Sequence, residues 1–317
     1  MPRFRSALPQ LSNDLFVTDG GIETTLIFHD GFELPSFAAF VLLEQEKGIA
    51  ALGRYFASYL DIASRHGTGI VLESPTWRAN PDWGRSLGYS KADLADLNRR
   101  AIAFIAALRD HTDLDGRPVV LSGNIGPRGD GYVPSALMSA AEAADYHSMQ
   151  IEVFAGTEAD MVSAFTINYV EEAIGVAGAA RSHGMPAVIS FTVETDGRLP
   201  TGDSLQAAIE RTDEATDGHV AYYMINCAHP THFLDTLAPE AAWLSRIRGV
   251  RPNASRMSHA ELNDATELDQ GDPAELGRQC RDLRQRLPAL NVLGGCCGTD
   301  QRHVDAMVAS ALLSRAA

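Results

Sequence analysis

Short apolar runs alternate along the chain with longer stretches whose hydrophobic residues recur at helical spacing. Leu15 to Thr18 is the first apolar run and closes on Asp19-Gly20-Gly21. From Glu44 to His66, the positions Leu52, Tyr55, Phe56, Tyr59, Leu60, Ile62 and Ala63 mark one face of a helix, which Gly67 stops. Gly69 to Ser74 is strand-like and opens into the polar and aromatic loop Pro75-Thr76-Trp77-Arg78-Ala79-Asn80-Pro81. Ser90 with Asp93 caps a helix to about His111. Pro118 to Ser122 makes a third strand, ending in Gly123-Asn124-Ile125-Gly126-Pro127, and Ser139 with Glu142 is a capping box for a helix to about Gly156.

The alternation continues. Asp160 to Phe165 is a fourth strand, followed by a helix from about Val170 to His183. Pro186 to Thr192 is a fifth strand, with Glu194 just beyond it, and a helix from about Ser204 to Asp217 follows. Val220 to Asn226 is a sixth strand that stops at Cys227, and Ile247 to Arg251 is a weaker seventh opening at Pro252-Asn253. A helix from about Asp272 to Leu287 precedes the run Leu290 to Leu293, and a last helix covers about Asp300 to Ser314.

Eight strand-then-helix units without a break predict an α/β chain folded as a single (β/α)8 TIM barrel, one domain over residues 1–317. A doubly wound open sheet is the alternative, but no G-x-G-x-x-G follows the first strand. Barrels of this kind build their sites at the C-terminal ends of the strands. Asp19, Ser74, Thr76, Asn124, Glu194, Asn226, Cys227, Asn253, Cys296 and Cys297 all fall just past such an end.

Charge narrows the choice of partner. A net charge of -15 and the lack of a dense lysine or arginine cluster exclude nucleic acid and anionic membrane as partners. No signal-type apolar core follows the N-terminus, and no run of about eighteen apolar residues occurs, so a cytoplasmic protein is expected. In that reducing compartment the four cysteines are expected as thiols or metal ligands, not disulfides.

Their placement favours a metal. Cys296 and Cys297 are adjacent between glycines, directly after the eighth apolar run. Neighbouring side chains on a strand point to opposite faces, so both reach one ion only where the backbone leaves strand geometry, a freedom that Gly294, Gly295 and Gly298 supply. Cys227 ends another strand, whereas Cys280 lies within the helical spacing of Pro273 to Leu283 and reads as packing. Three ligands with a fourth position open is the pattern of a catalytic zinc. A vicinal redox pair is the alternative. His229 and His232 follow Cys227 closely enough to make a mixed Cys/His site conceivable, but three sulfurs already complete the set. His147, His183 and His303 fall on helices without a role.

Asp19-Gly20-Gly21, Gly123-Asn124-Ile125-Gly126-Pro127, Asn226-Cys227 and Gly294-Gly295-Cys296-Cys297-Gly298 occur in the order of the homocysteine S-methyltransferase family, which the chain resembles from about Leu15 to about Ala309. That family includes the betaine- and S-methylmethionine-dependent enzymes and the homocysteine module of cobalamin-dependent methionine synthase. The resemblance implies a stand-alone methyltransferase with zinc held by Cys227, Cys296 and Cys297 and the acceptor thiol as fourth ligand. The partners are then small molecules: an onium methyl donor, sulfonium or quaternary ammonium, and homocysteine as the leading acceptor, giving methionine.

Aromatic faces at Trp77, Phe165 and Tyr169 are candidates for the donor's cation, and Arg78 for a carboxylate or else a surface salt bridge. Thr76, Asn124 and Asn226 complete the candidate substrate contacts. One residue departs from the family's pattern. Where members acting on homocysteine carry a glutamate for the substrate's amino group, this chain has Phe165. A buried ammonium needs a counter-charge, so Asp19, Glu73 or Glu194 compensates, or the acceptor is a different small thiol. A zinc hydrolase and a thiol redox sensor stand as rival functions.

Overall fold

Eight parallel strands close on themselves in sequence order: β1 (Phe16–Val17), β2 (Gly69–Glu73), β3 (Val119–Ile125), β4 (Met161–Ile167), β5 (Ala187–Phe191), β6 (Val220–Asn226), β7 (Ile247–Arg251) and β8 (Val292–Leu293). β8 pairs with β1 to complete the ring, Phe16 opposite Val292 and Val17 opposite Leu293. This is a computed structural model, and it describes residues 1–135, 137–238 and 241–313. The fold is the TIM barrel that the alternating periods predict.

Period-two alternation sorts the strand residues into two cores. Phe16, Val71, Val120, Met161, Phe165, Val188, Tyr222, Met224 and Val292 fill the barrel's interior, while the other strand face packs under the helices. Leu8 and Phe4 join the interior cluster from the N-terminal segment. That segment is tied to the barrel where Asp160 Oδ1 accepts the backbone amides of Arg3 and Phe4, both at 2.7 Å. A segment that reads as a polar lead-in thus packs onto the barrel core.

Helices Glu46–His66, Lys91–Asp110, Ala140–Ala155, Val170–Ser182, Leu205–Thr216, Pro273–Arg286 and Gln301–Leu313 form the outer layer. Both capping boxes form as the sequence predicts, at Ser90/Asp93 and Ser139/Glu142, and Gly67 ends its helix at φ 62°. Ser314 lies outside the described residues. The alternation is broken once. Between β6 and β7 the chain makes a single helical turn, Pro230–Phe233, and then 3-10 turns, because buried Phe233 leaves helical geometry at φ -130°.

Two strands outrun their sequence limits. β3 takes in Gly123-Asn124-Ile125, where the Phe154 ring fills the space a Cβ on Gly123 would need. β4 continues through Phe165 to Ile167, its register shifting where Thr166 turns to φ 62°. Asn124 is therefore a strand residue and not a loop residue, while Phe165 lies within its strand as expected. Among the described residues no helix is long and apolar enough to cross a membrane.

Candidate active site

β6 delivers Cys227 by an unusual turn. The residue after Asn226 enters the left-handed region at φ 54°, a conformation costing a non-glycine residue ~1–3 kcal/mol, and neighbours hold it there. Its amide donates to Arg251 O at 3.1 Å, and its carbonyl accepts from Asn253 Nδ2 at 3.0 Å and from His259 Nε2 at 2.6 Å. Cys296 lies beyond β8, its amide donating to Pro252 O at 2.9 Å, and a turn closed by Thr299 Oγ1 on Cys296 O at 2.7 Å presents Cys297.

The glycines serve this turn differently from the sequence's account. Only Gly298 of the three has a positive φ, 78°. Gly294 and Gly295 are small because Thr18, Asp19 and Thr299 occupy the space their Cβ atoms would take.

The sulfurs of Cys227, Cys296 and Cys297 all lie within 4.8 Å of one another. The expectation of thiols or metal ligands and no disulfide needs one correction. Cys227 and Cys296 stand as a disulfide, Cα atoms 5.4 Å apart, while Cys297 and Cys280 are free. Two strand ends that aim sulfurs at a common point also bring them within bonding reach.

Each sulfur has one polar neighbour. Asn226 Nδ2 is 3.9 Å from Cys296 Sγ, Thr166 Oγ1 is 3.8 Å from Cys227 Sγ, and Tyr132 Oη is 3.7 Å from Cys297 Sγ. Asn226 is fixed in turn, its Oδ1 accepting from Ser190 Oγ at 2.6 Å and Thr166 N at 3.0 Å. Although Cys297 as a residue is exposed, burial around its sulfur, with Glu23, pushes the thiol above the ordinary value, against the Tyr132 hydroxyl and Arg251.

Arginines dominate the surrounding electrostatics. Asp19 Oδ1 pairs with Arg251 Nη1 at 2.8 Å, and Asp19 Oδ2 accepts from Tyr55 Oη at 2.8 Å. The Arg251 guanidinium lies 4.8 Å from the Phe165 ring centroid. Arg78 is no surface salt bridge. It is buried between Trp77 and Trp83, 4.0 and 3.9 Å from their centroids, and burial lowers its pKa to about 10 against Asp130 and Glu23.

Two of the three rings expected to cradle a donor cation thus carry the chain's own guanidinium groups. The third, Tyr169, is buried and accepts from Met138 N at 3.2 Å. Glu73 is buried, accepting from Ser163 Oγ at 3.1 Å, and burial pushes its carboxyl up to about 7. Thr76 Oγ1 donates to Asn124 O at 2.7 Å, so the backbone uses it, whereas Asn124 Oδ1 has no partner. Glu194 faces His259, 3.1 Å from its Nδ1, and among the described residues makes no hydrogen bond with a sulfur. His229 caps its own turn, accepting from Thr231 N, and the metal-competent group among the described residues is the three cysteines alone.

Comparison with known proteins settles the lineage. The family model for homocysteine S-methyltransferase matches residues 16–311. The chain belongs to the homocysteine S-methyltransferase family. Its fold is shared with the homocysteine methyltransferase MmuM from Escherichia coli. The metallated form superposes with a TM-score of 0.68 at 18% identity, and the oxidised form with 0.69 at 19%, each covering 94% of this chain and 96% of that one. The apo form gives 0.63 at 19% identity over the same shares. At such identity the likeness concerns the fold. No curated protein sequence matches the chain.

Against the family's motifs, five residues at the site were not singled out as site residues. Glu23 follows the Asp19-Gly20-Gly21 signature on the turn Ile22–Thr24, half-buried and pushed up to about 7 by burial. Its place in the first strand's mouth was a signal. Arg251 ends β7, and Thr166 and Tyr132 touch sulfurs, but nothing local in the sequence marks them. His259 arrives from a short helix, His259–Asp264, beyond β7. The donor set suits zinc in kind, three sulfurs converging within 4.8 Å, but a tetrahedral ion with sulfurs at about 2.3 Å needs them about 4 Å apart, so the bonded Cys227–Cys296 pair has to be reduced and part before it can hold the ion.

Proposed function

We propose that this member of the family is a zinc-dependent S-methyltransferase, moving a methyl group from a sulfonium or quaternary ammonium donor to a small thiol held at Cys227, Cys296 and Cys297. The observation that carries the reading is the meeting of these three sulfurs within 4.8 Å at the strand ends, each faced by one polar group. Cys227, Cys296 and Cys297 would hold the zinc, which would supply a lowered pKa to an incoming thiol.

Thr166, Asn226 and Tyr132 disperse the negative charge of the sulfurs, and the buried Asn226 network holds the pair of β-strand ends in place. The transfer is a displacement. The acceptor sulfur bonds to the methyl carbon as the donor's bond breaks, the electron pair stays on the donor, the donor leaves with one positive charge fewer, and the thiol's proton passes to solvent.

Homocysteine, giving methionine, is the acceptor to which the family points. Methyl transfer to a different small thiol is the second reading, favoured by Phe165 and by Arg251 lying across Asp19. A hydrolase is poorly served by an all-sulfur donor set. The acidic chain suits small-molecule work in the cytoplasm. The test incubates the reduced, zinc-loaded chain with a panel of onium donors and thiols and reads methylated product by mass spectrometry. Absence of product with every pair, or a reduced chain that takes up no zinc and cycles only between thiol and disulfide, overturns the reading in favour of a redox sensor.

A further inference from the structure

We infer that the acceptor is a thiol bearing a carboxylate and no ammonium, with Arg78 as its carboxylate receptor and Arg251 filling the place a substrate amine would need. The inference rests on the S-methyltransferase reading and names its substrate class.

The first observation is that the buried carboxylate of the first strand's mouth is already spent. Asp19 accepts from Arg251 Nη1 at 2.8 Å, Thr18 Oγ1 at 3.1 Å and Tyr55 Oη at 2.8 Å. Arg251 is locked as well, donating from Nε to Gly295 O and from Nη2 to Gly20 O, both at 3.0 Å. Its guanidinium covers Phe165, the residue standing where the family's amine-binding glutamate is expected. An incoming ammonium would meet a fixed cation and a phenyl ring, and could take Asp19 only by breaking a buried ion pair. Arg251 also acts electrostatically on Glu73 and Glu23, the other carboxylates of this region.

The second observation is a cation with capacity to spare. Arg78 is nine-tenths buried, and its Nε has no hydrogen-bond partner. Nη1 donates to Gly129 O at 3.1 Å, and among the described residues Arg78 forms no ion pair. Trp77 and Trp83 flank the guanidinium carbon, and Asp130 and Glu23 act on its charge without pairing with it, so Nε is left to donate to a planar anion. The stack is connected to the sulfurs. Trp77 Nε1 donates to Phe165 O at 3.2 Å, a Cβ on Gly131 would stand 3.7 Å from the Trp77 ring and 2.8 Å from Thr166 Cγ2, and the next residue, Tyr132, reaches Cys297.

The test uses the reduced, cobalt(II)-loaded chain, whose sulfur-to-metal charge-transfer band reports thiol ligation without any turnover. Homocysteine is compared with 4-mercaptobutyrate, the same chain without its amine, and with 4-mercapto-1-butanol, which lacks both charges. On the unaltered protein, 4-mercaptobutyrate is expected to bind at least roughly tenfold more tightly than homocysteine, the usual scale when a buried charge is left unpaired. Arg78→Met is expected to erase the advantage of 4-mercaptobutyrate over the alcohol and to leave the alcohol's own binding unchanged. Homocysteine binding as well as 4-mercaptobutyrate overturns the inference and leaves the methyltransferase reading standing. Equal weakening of acid and alcohol by Arg78→Met also overturns it. If no thiol alters the band, the thiol-binding reading itself fails and takes the inference with it.

Discussion

His259 bridges Glu194 to the peptide of Cys227. Its Nδ1 lies 3.1 Å from Glu194 Oε1 and its Nε2 2.6 Å from the Cys227 carbonyl, while the Tyr132 ring stacks on it with centroids 4.0 Å apart. The bridge fastens the one cysteine of the three whose backbone is left-handed. Groups that orient a metal ligand typically cost ~10–100-fold in affinity when removed. His259→Ala is expected to weaken zinc binding on that scale, measured by competition with a chromogenic chelator, with the thermal transition shifted little. Glu194→Gln, which keeps a hydrogen-bonding group, is expected to cost less. Unchanged zinc affinity in His259→Ala would deny the bridge its role.

Glu73 makes stability depend on pH in a direction opposite to most carboxylates. Burial pushes its folded pKa up to about 7, against the nearby Arg251, from an unfolded value of ~4.3. Between those values the folded chain binds more protons than the unfolded one, so stability falls as pH rises through the window. The full effect above the folded value is on the order of 3 kcal/mol. Glu73→Gln removes it. Urea unfolding at pH 5 and pH 8 is expected to show the variant gaining on the parent at the higher pH. A constant difference across the two would show that Glu73 does not titrate in this window.

The barrel was legible because its signals are local. Each strand announces itself as an apolar run, and the helices carry their stop and start residues, as Ser90 with Asp93 and Gly67 show. The cysteines at strand ends were legible for the same reason, since a strand's end fixes where the next side chain can go. What stayed hidden depends on tertiary approach. Arg251 sits in a seventh strand that reads weakly, and its pairing with Asp19 links residues from opposite ends of the chain. Tyr132 and His259 meet only because two long loops fold over the same mouth. The Cys227–Cys296 disulfide was missed because the redox compartment, and not the geometry, guided the expectation.

Gly295 tests whether the ligand turn depends on close packing. Its backbone lies against Thr299, so a Cβ there would stand 2.7 Å from Thr299 Cβ and closer still to the hydroxyl that closes the turn on Cys296. Overpacking of this kind costs ~1–3 kcal/mol. Gly295→Ala is expected to lose that much stability in urea unfolding and to lower zinc stoichiometry, because the displaced Thr299 no longer holds Cys296 O. An alanine variant with full zinc occupancy would show that the turn accommodates the methyl group.

Cys297 and Cys280 separate a proposed ligand from a packing residue. Cys297 is exposed in the mouth, free, and close to both partner sulfurs, whereas Cys280 is wholly buried in the helix Pro273–Arg286 with its thiol pushed up to about 12 by burial. In the reduced parent about one zinc per chain is expected, the occupancy of a three-sulfur site with an open fourth position. Cys297→Ser replaces a soft ligand by a hydroxyl that stays protonated at neutral pH, so zinc is expected to fall well below stoichiometric while the unfolding midpoint of the metal-free chain barely moves. Cys280→Ser buries a hydroxyl in an apolar setting, so its expected cost is ~1–3 kcal/mol of stability with zinc retained. Elemental analysis beside urea unfolding reads both variants. The crossed pattern is the diagnostic one: if Cys297→Ser keeps its zinc, the metal is held elsewhere and the open position at the mouth does not exist.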